Sequence, residues 1–246
     1  MRQRLDGIGR SLDVYYRDTA RTQLMDRLNA KFIRKGGLAF DIGAHVGDRT
    51  ASFLRLGASV VALEPQPRVF RALRLIHGRT SGATLLRQAV GAAPGQLEMY
   101  LNSNNPTVST ASRELVEAAK TSVAWQDQVW DTQSRVPVTT LDQLITQYGT
   151  PDFVKIDVEG YEAEVLAGLS TALSLLSFEF TTIQRDVAFA CLDRLEMLGI
   201  YEFNLSLGED HVLRWDAWAS ARDMRCEIAG LPEHANSGDI YARLVG

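Results

Sequence analysis

The chain of 246 residues predicts an α/β fold built on a doubly wound, mostly parallel sheet. Three observations predict it. Short apolar runs at residues 38–41, 59–63, 153–157 and 175–180 alternate with stretches of helical spacing, the pattern of a parallel sheet covered on both faces. Residues 38–47 (Leu-Ala-Phe-Asp-Ile-Gly-Ala-His-Val-Gly) read as strand, tight turn and helix start, the layout of a nucleotide site in such sheets. Acids also recur where the apolar runs stop: Asp41, Glu64, Asp157 and Glu179 lie at or near predicted strand ends, as does Val90. Ligands of doubly wound sheets bind at the carboxyl ends of the strands, so these residues are expected on one rim.

The elements follow in order. Residues 11–34 carry Leu24, Met25, Leu28 and Phe32 at helical spacing. One or two helices are expected there, ending at Gly36-Gly37 and forming an N-terminal helical cap over residues 1–36 ahead of one large domain at 37–246. Strand 38–41 leads into a helix at 48–56, stopped by Gly57. Strand 59–63 ends in Glu64-Pro65. A helix through Val69, Leu73 and Ile76 closes at Gly78, a strand covers 83–90, and 96–101 alternates like a half-exposed strand. Residues 102–135 differ: Asn, Ser and Thr dominate, with one short helical piece at 113–120 and two aromatics, Trp125 and Trp130. A segment this long between regular elements is usually functional, and it is read as a lid-like insertion over the site. Strand 135–139, helix 140–148, strand 153–157, helix 162–166, strand 175–180 and an amphipathic helix at 187–198 follow. Residues 200–204 and 211–213 read as a hairpin around Gly208. The tail reads as helical around Trp215 and Trp218, with a last strand at 239–245.

Composition narrows the class. Hydrophobic residues make up 46% and charged residues 23%, enough for a sizeable core, and the formal net charge of -4 offers no whole-protein attraction to nucleic acid or an anionic membrane. No apolar run approaches the ~18 residues of a membrane span. The polar, arginine-rich residues 1–10 lack the apolar stretch of a signal peptide. Cys191 and Cys226 stand alone, which fits a reduced compartment and a cytoplasmic location. No Cys or His cluster has ligand spacing; two carboxylates and one His could bind a hard divalent cation, but no spacing demands one, and no metal centre is expected.

Two acids define the ligand at the glycine turn. Glu64 stands about 20 residues beyond the turn, where a carboxylate accepts hydrogen bonds from ribose hydroxyls. Asp41 occupies the position where a dinucleotide fingerprint has glycine. A carboxylate there would repel a pyrophosphate but attract the cationic sulfonium and ammonium of S-adenosylmethionine (SAM). SAM is therefore preferred over NAD.

Asp41-Ile-Gly-Ala-His-Val-Gly47, Glu64-Pro65, Gln88-Ala-Val-Gly91, Val138-Thr-Thr-Leu-Asp142 and Asp152-Phe-Val-Lys-Ile-Asp-Val-Glu-Gly-Tyr-Glu162 together resemble the FkbM family of SAM-dependent methyltransferases. The resemblance covers residues 37–180. It implies a class I methyltransferase fold, a Rossmann-like seven-stranded sheet with an antiparallel last strand. It also implies O-methylation of a hydroxyl on a sugar, glycan or secondary metabolite, with S-adenosylhomocysteine as product. By similarity Gly43, Ala44, Gly47 and Glu64 hold SAM, and Gln88, Ala89 and Val90 flank the adenine. His45 and Pro65 adjoin the same turns and join the cofactor-binding candidates with Asp41.

An alcohol is a poor nucleophile, so a positioned base is useful. Asp157 and Glu159 are the catalytic candidates, Asp157 also as a partner of the SAM ammonium and Glu159 as base or hydroxyl anchor. Other roles stay open. Lys155 packs its stem and snorkels, Glu162 favours the next helix N-terminus, and Glu179 is a buried core group or part of the site. His211 is a possible second base, while His77 and His234 read as surface residues. Trp125 and Trp130 either stack on substrate or anchor the insertion. Two other function classes compete, an NAD-linked oxidoreductase and a non-catalytic SAM-fold binding module.

Overall fold

The computed structural model describes residues 7–245; residues 1–6, the front of the arginine-rich start, and Gly246 lie outside the described residues. Two helices open the chain, α1 (Gly7–Arg17) and α2 (Thr19–Asn29). Between them Asp18 caps α2, its carboxylate accepting from the Ala20 and Arg21 N–H groups, two donors that the helix itself leaves unpaired. Then come β1 (Leu38–Ile42), α3 (Asp48–Arg55), β2 (Ser59–Leu63), α4 (Pro67–His77), β3 (Ala83–Leu86), β4 (Ala89–Val90) and β5 (Gly95–Leu101). The second half holds α5 (Arg113–Ala119), β6 (Thr132–Thr139), α6 (Leu141–Tyr148), β7 (Phe153–Ile156), α7 (Glu162–Ala167), β8 (Leu175–Thr181) and α8 (Arg185–Leu198). It ends with β9 (Tyr201–Leu207), α9 (Ala221–Gly230) and β10 (Ser237–Leu244).

Seven strands form the main sheet in the order β3-β2-β1-β7-β8-β10-β9. β10 runs antiparallel to both its neighbours and the other pairings are parallel, as the class I resemblance implied. Strand order reverses between β1 and β7, the switch point where such sheets bind ligands. A second sheet, β4-β6-β5, stands beside it.

Three expectations are corrected. Residues 83–90 are not one strand. β3 pairs with β2 only as far as Leu86 opposite Leu63, where β2 itself ends, so residues 89–90 turn to β6 instead. Residues 211–213 form no hairpin strand. His211 has φ +53°, outside the extended region, and β9 takes β10 as its partner. Trp215 and Trp218 are not helical. The Asn204 side chain binds both backbone groups of Trp215, at 2.8 and 3.3 Å, groups that a helix would need, and the helix waits for its Ser220 cap.

The pleat sends alternate residues to two cores. Phe40, Ile42, Val154, Ile156, Leu176 and Phe178 meet α6 to α9 on one face. Ala39, Val60, Ala62, Phe153 and Tyr241 meet Leu28, Phe32, Phe53 and Leu73 on the other. Phe32, just beyond α2, stacks on Tyr241 at 4.8 Å and on Phe153 at 5.7 Å, and Phe53 meets Phe153 edge-on at 5.7 Å. This aromatic cluster fastens the N-terminal helices to the sheet. Among the described residues no helix is long and apolar enough to cross a membrane, and both cysteines are free, Cys191 buried and Cys226 exposed.

Phe32→Ala is expected to cost about 3–5 kcal/mol, the range for emptying a packed aromatic site. Urea denaturation measures it; a loss below about 1 kcal/mol would mean that the cluster does not fasten the cap.

Candidate active site

The carboxyl rim changes chemistry within one step of the pleat. On the face packed by α2 and α3, Ala39 gives way to Asp41 in β1. Likewise Phe153 gives way to Lys155 and Asp157 along β7, Ser177 to Glu179 in β8, and Tyr241 to Asp239 in β10. Residues two apart share a face, so these groups converge.

Lys155 sits at their centre. It is 2% exposed, donates to Asp239 at 2.6 Å and lies 3.1 Å from an Asp157 carboxylate oxygen. The expectation that it snorkels is corrected: aromatic packing below leaves no route to solvent, and paired carboxylates make burial of the charge tolerable. Burial alone would raise Asp157; the Lys155 charge overrides it and holds the carboxyl below its ordinary range. Glu159 and Glu179 go the other way, raised well above the ordinary carboxylate value by burial and then by the Asp157 charge.

Two turns interlock at the switch point. The Asp157 N–H donates to the Ile42 carbonyl at 2.8 Å. Gly43 has φ +84°, and a Cβ there would fall 1.7 Å from the Asp157 carbonyl oxygen, so only glycine allows the approach. Gly43 and Ala44 N–H groups both donate to Leu63 O, at 2.9 and 2.8 Å, which ties β2 to the same turn. Thr50 Oγ1 donates to buried Asp41 at 2.5 Å; burial still pushes that carboxyl up to about 6. Gly47 serves differently from expectation. It stands at the start of α3 with φ +90° and meets Leu73 and the His77 ring rather than the cavity. His77 Nε2 donates to the Gly47 carbonyl at 3.0 Å and is buried, which corrects its reading as a surface residue.

Glu64 follows β2 and is buried. One carboxylate oxygen accepts from Gln66 N–H at 2.7 Å and the other from His45 N–H at 3.0 Å. Each oxygen keeps a free lone pair. Burial pushes this carboxyl up to about 7 despite both hydrogen bonds.

A cavity partly open to solvent runs along this rim. Asp41, Gly43, Ala44 and His45 line one wall, Glu64 and Pro65 the next, Gln88, Ala89 and Val90 a third, and Asp157 and Glu159 a fourth. Glu179 stands behind Asp157, outside the lining. Glu162 accepts from Val158 N–H at 3.1 Å and Gly160 N–H at 3.3 Å, which braces the turn ahead of α7. His211 is buried, 3.1 Å from Glu209, and is not part of the lining.

The insertion supplies the roof, but which of its residues do so was not readable. Thr107, Ser109 and Ala111 of the insertion reach the cavity, as do Met99, Gln66 and Tyr161. Gln66 holds Pro106 O at 3.1 Å and Thr110 Oγ1 holds Glu159 O at 2.6 Å. Trp125 donates to Asn236 at 3.2 Å and Trp130 to Val108 O at 2.9 Å, in a cluster with Leu115 and Ala119; of the two open roles they are the anchors. Tyr15 of α1 meets the His45 ring edge-on at 5.8 Å. At the rim, Arg49 lies between Asp48 at 3.6 Å and Glu209 at 3.3 Å, while Arg21 reaches the same two acids at 3.2 and 2.5 Å. The one sequence signal for Arg49 was a cation in the first turn of a helix, where the dipole disfavours it.

The model of the methyltransferase FkbM domain matches residues 41–205. The hexuronic acid methyltransferase AglP of Haloferax volcanii is 25% identical over 176 residues, 70% of this chain and 66% of AglP. The precorrin-6y C5,15-methyltransferase of Geobacter metallireducens superposes with a TM-score of 0.47 at 14% identity, covering 92% of this chain and 87% of that one. A TehB-like SAM-dependent methyltransferase of Corynebacterium glutamicum does so with a TM-score of 0.48 at 12% identity, covering 96% and 94%.

The raised Glu64 carboxyl makes the ligand-free protein sensitive to pH. Folded, Glu64 keeps its proton up to about pH 7; unfolded, it releases it near 4.5. The folded state binds the extra proton between these values, so this contribution is full below pH 4.5 and is lost as pH rises to about 7. The loss is on the order of 3 kcal/mol, and Asp41 adds to it in the same direction up to about pH 6. Urea denaturation across this range is expected to show the decline and Glu64→Gln to flatten it; an identical profile in the variant would place the trend elsewhere.

Proposed function

Because the chain belongs to the FkbM family of methyltransferases, we propose that it transfers a methyl group from SAM to a hydroxyl of a sugar, glycan or secondary-metabolite acceptor. The charge balance of the cavity carries this reading. Asp41, Asp48, Glu64, Asp157, Glu159 and Glu209 line it, against Arg49 as the one lysine or arginine among the described lining residues. A surplus of carboxylates in a partly dehydrated site favours a ligand with a sulfonium and an ammonium and opposes one with a pyrophosphate. The residues present fit SAM in other respects. The free lone pairs of Glu64 suit a ribose diol, the Gly43-Ala44 backbone allows close approach, and Gln88, Ala89 and Val90 offer the wall for adenine.

SAM supplies an activated methyl group on sulfur; the chain supplies alignment and proton transfer. Asp157, fixed by Lys155, would hold the amino end of the cofactor. Glu159 lines the cavity and would take the proton of an acceptor hydroxyl as the methyl group passes from sulfur to oxygen, with S-adenosylhomocysteine as the leaving product. Residues 1–36 act as a cap, residues 37–246 as the catalytic domain, and residues 102–135 as the lid that selects the acceptor. A carbohydrate acceptor is supported by AglP, whose name records a hexuronic acid.

Calorimetry is expected to show binding of S-adenosylhomocysteine and not of NAD; the reverse sinks this reading. Tritiated-methyl transfer from SAM into metabolite fractions identifies the acceptor. With it in hand, Glu159→Gln is expected to lower turnover by ~10²–10⁴-fold, the usual contribution of a positioned base, with affinity for S-adenosylhomocysteine kept. Full turnover in that variant would reassign the base.

A further inference from the structure

We propose that Asp157, Glu159 and Glu179 form a binding site for one divalent, oxygen-preferring cation of the magnesium, manganese or calcium class. The three side chains come from the turn after β7 and from β8, and one oxygen of each lies within 4.8 Å of the others. Oxygen ligands sit about 2.1 Å from Mg²⁺ and about 2.4 Å from Ca²⁺, so opposed ligands on one ion are about 4.2–4.8 Å apart. The spread of the three oxygens is that of a single coordination sphere.

A second observation concerns what these groups lack. Glu159 is 8% exposed, and burial together with the Asp157 and Glu162 charges opposes its charged form. The Glu179 carboxyl shares a hydrogen bond with Asp157, but its Oε2 atom is buried without a partner. Buried carboxylate oxygens are normally paired or on a metal. The nearby ammonium, Lys155, is shared between Asp157 at 3.1 Å and Asp239 at 2.6 Å. A divalent ion would take the Glu179 Oε2 atom as a ligand. The set holds no nitrogen or sulfur, which selects hard cations over zinc or copper.

Sequence spacing gave no sign of this site. Asp157 and Glu159 are near neighbours, but Glu179 joins them only through the parallel pairing of β7 with β8, where Ile156 lies opposite Phe178. Asp157 and Glu159 also line the cavity, so the ion's remaining positions would face it. There a cation would hold an acceptor hydroxyl and make its proton easier to remove. That consequence rests on the methyltransferase reading; the binding of the ion does not.

The test uses the full chain freed of metal by chelation and titrated with Mn²⁺, with the free ion followed by electron paramagnetic resonance. One Mn²⁺ per chain is expected, displaced by Mg²⁺ or Ca²⁺. Glu179→Gln, which lies outside the cavity lining, is expected to weaken Mn²⁺ binding at least about 10-fold while keeping affinity for S-adenosylhomocysteine, measured in chelator, within about 2-fold. As a check needing no variant, Mn²⁺ is expected to raise the melting temperature of the wild-type chain by mass action. No Mn²⁺ binding at millimolar concentration, or equal binding by wild type and Glu179→Gln, overturns the proposal. Binding of S-adenosylhomocysteine in chelator reports separately on the cofactor reading.

Discussion

The close passage of two backbone turns at the switch point is the constraint from which the rest of the site follows. Gly43 leaves β1 against the Asp157 carbonyl with no room for a Cβ, and the Asp157 N–H returns a hydrogen bond to Ile42. Because the two turns are locked together, Asp157 stands at a fixed position relative to Ala44 and His45. Glu64 is drawn in through the bonds from Gly43 and Ala44 to Leu63. Three strands therefore deliver their terminal acids to one cavity without any of these acids having to hold the strands together. The sheet pays for the geometry with hydrogen bonds and apolar packing, and the acids are left free to serve a ligand.

That freedom has an electrostatic cost, visible in how the carboxyls divide. Asp157 has Lys155 at 3.1 Å and is held in its charged form. Glu64, Asp41, Glu159 and Glu179 lack such a partner and are raised. A site that holds protons where a ligand's positive charge belongs is poised to exchange one for the other. Folding and ligand binding then draw on the same groups in opposite senses: the empty cavity is easier to fold with protons on, while a cationic ligand binds better with them off.

Much of the fold was legible because it rests on local periodicity. Residues 59–63 and 67–78 announced strand and helix by spacing, and the glycine turn with its acids announced the rim. What failed was whatever depends on pairing across the chain. Residues 83–90 are uniformly strand-like, yet the sheet runs out of partner at Leu63. Residues 211–213 have an apolar pattern, yet the backbone at His211 is left-handed. Lys155 looked like a strand-interior lysine with a snorkelling stem because Asp239 lies 84 positions away in sequence. The motif that contains Lys155, Asp157 and Glu159 was readable as a unit; that Glu179 and Asp239 complete it was not, since both arrive by register alone.

The roof obeys a different logic from the floor. Its contacts with the rim are made through backbone carbonyls: Gln66 to Pro106 O and Thr110 to Glu159 O. Arg10 of α1 likewise reaches Asn104 O. At Pro106 and Asn104 the roof supplies only a carbonyl, which is present whatever the side chain, whereas at Thr110 its own hydroxyl makes the bond. The residues that fasten it, Trp125 and Trp130, point away into their own cluster. Ser109 accepts from the Asn102 N–H at 3.1 Å and helps to shape the roof, while Thr107 and Ala111 face the cavity without holding the lid by a bond to the rim. In the proposed reaction, the glycine-locked floor would hold the donor in fixed geometry, and cavity-facing roof positions such as Thr107 and Ala111 are where a change of side chain would shift acceptor choice.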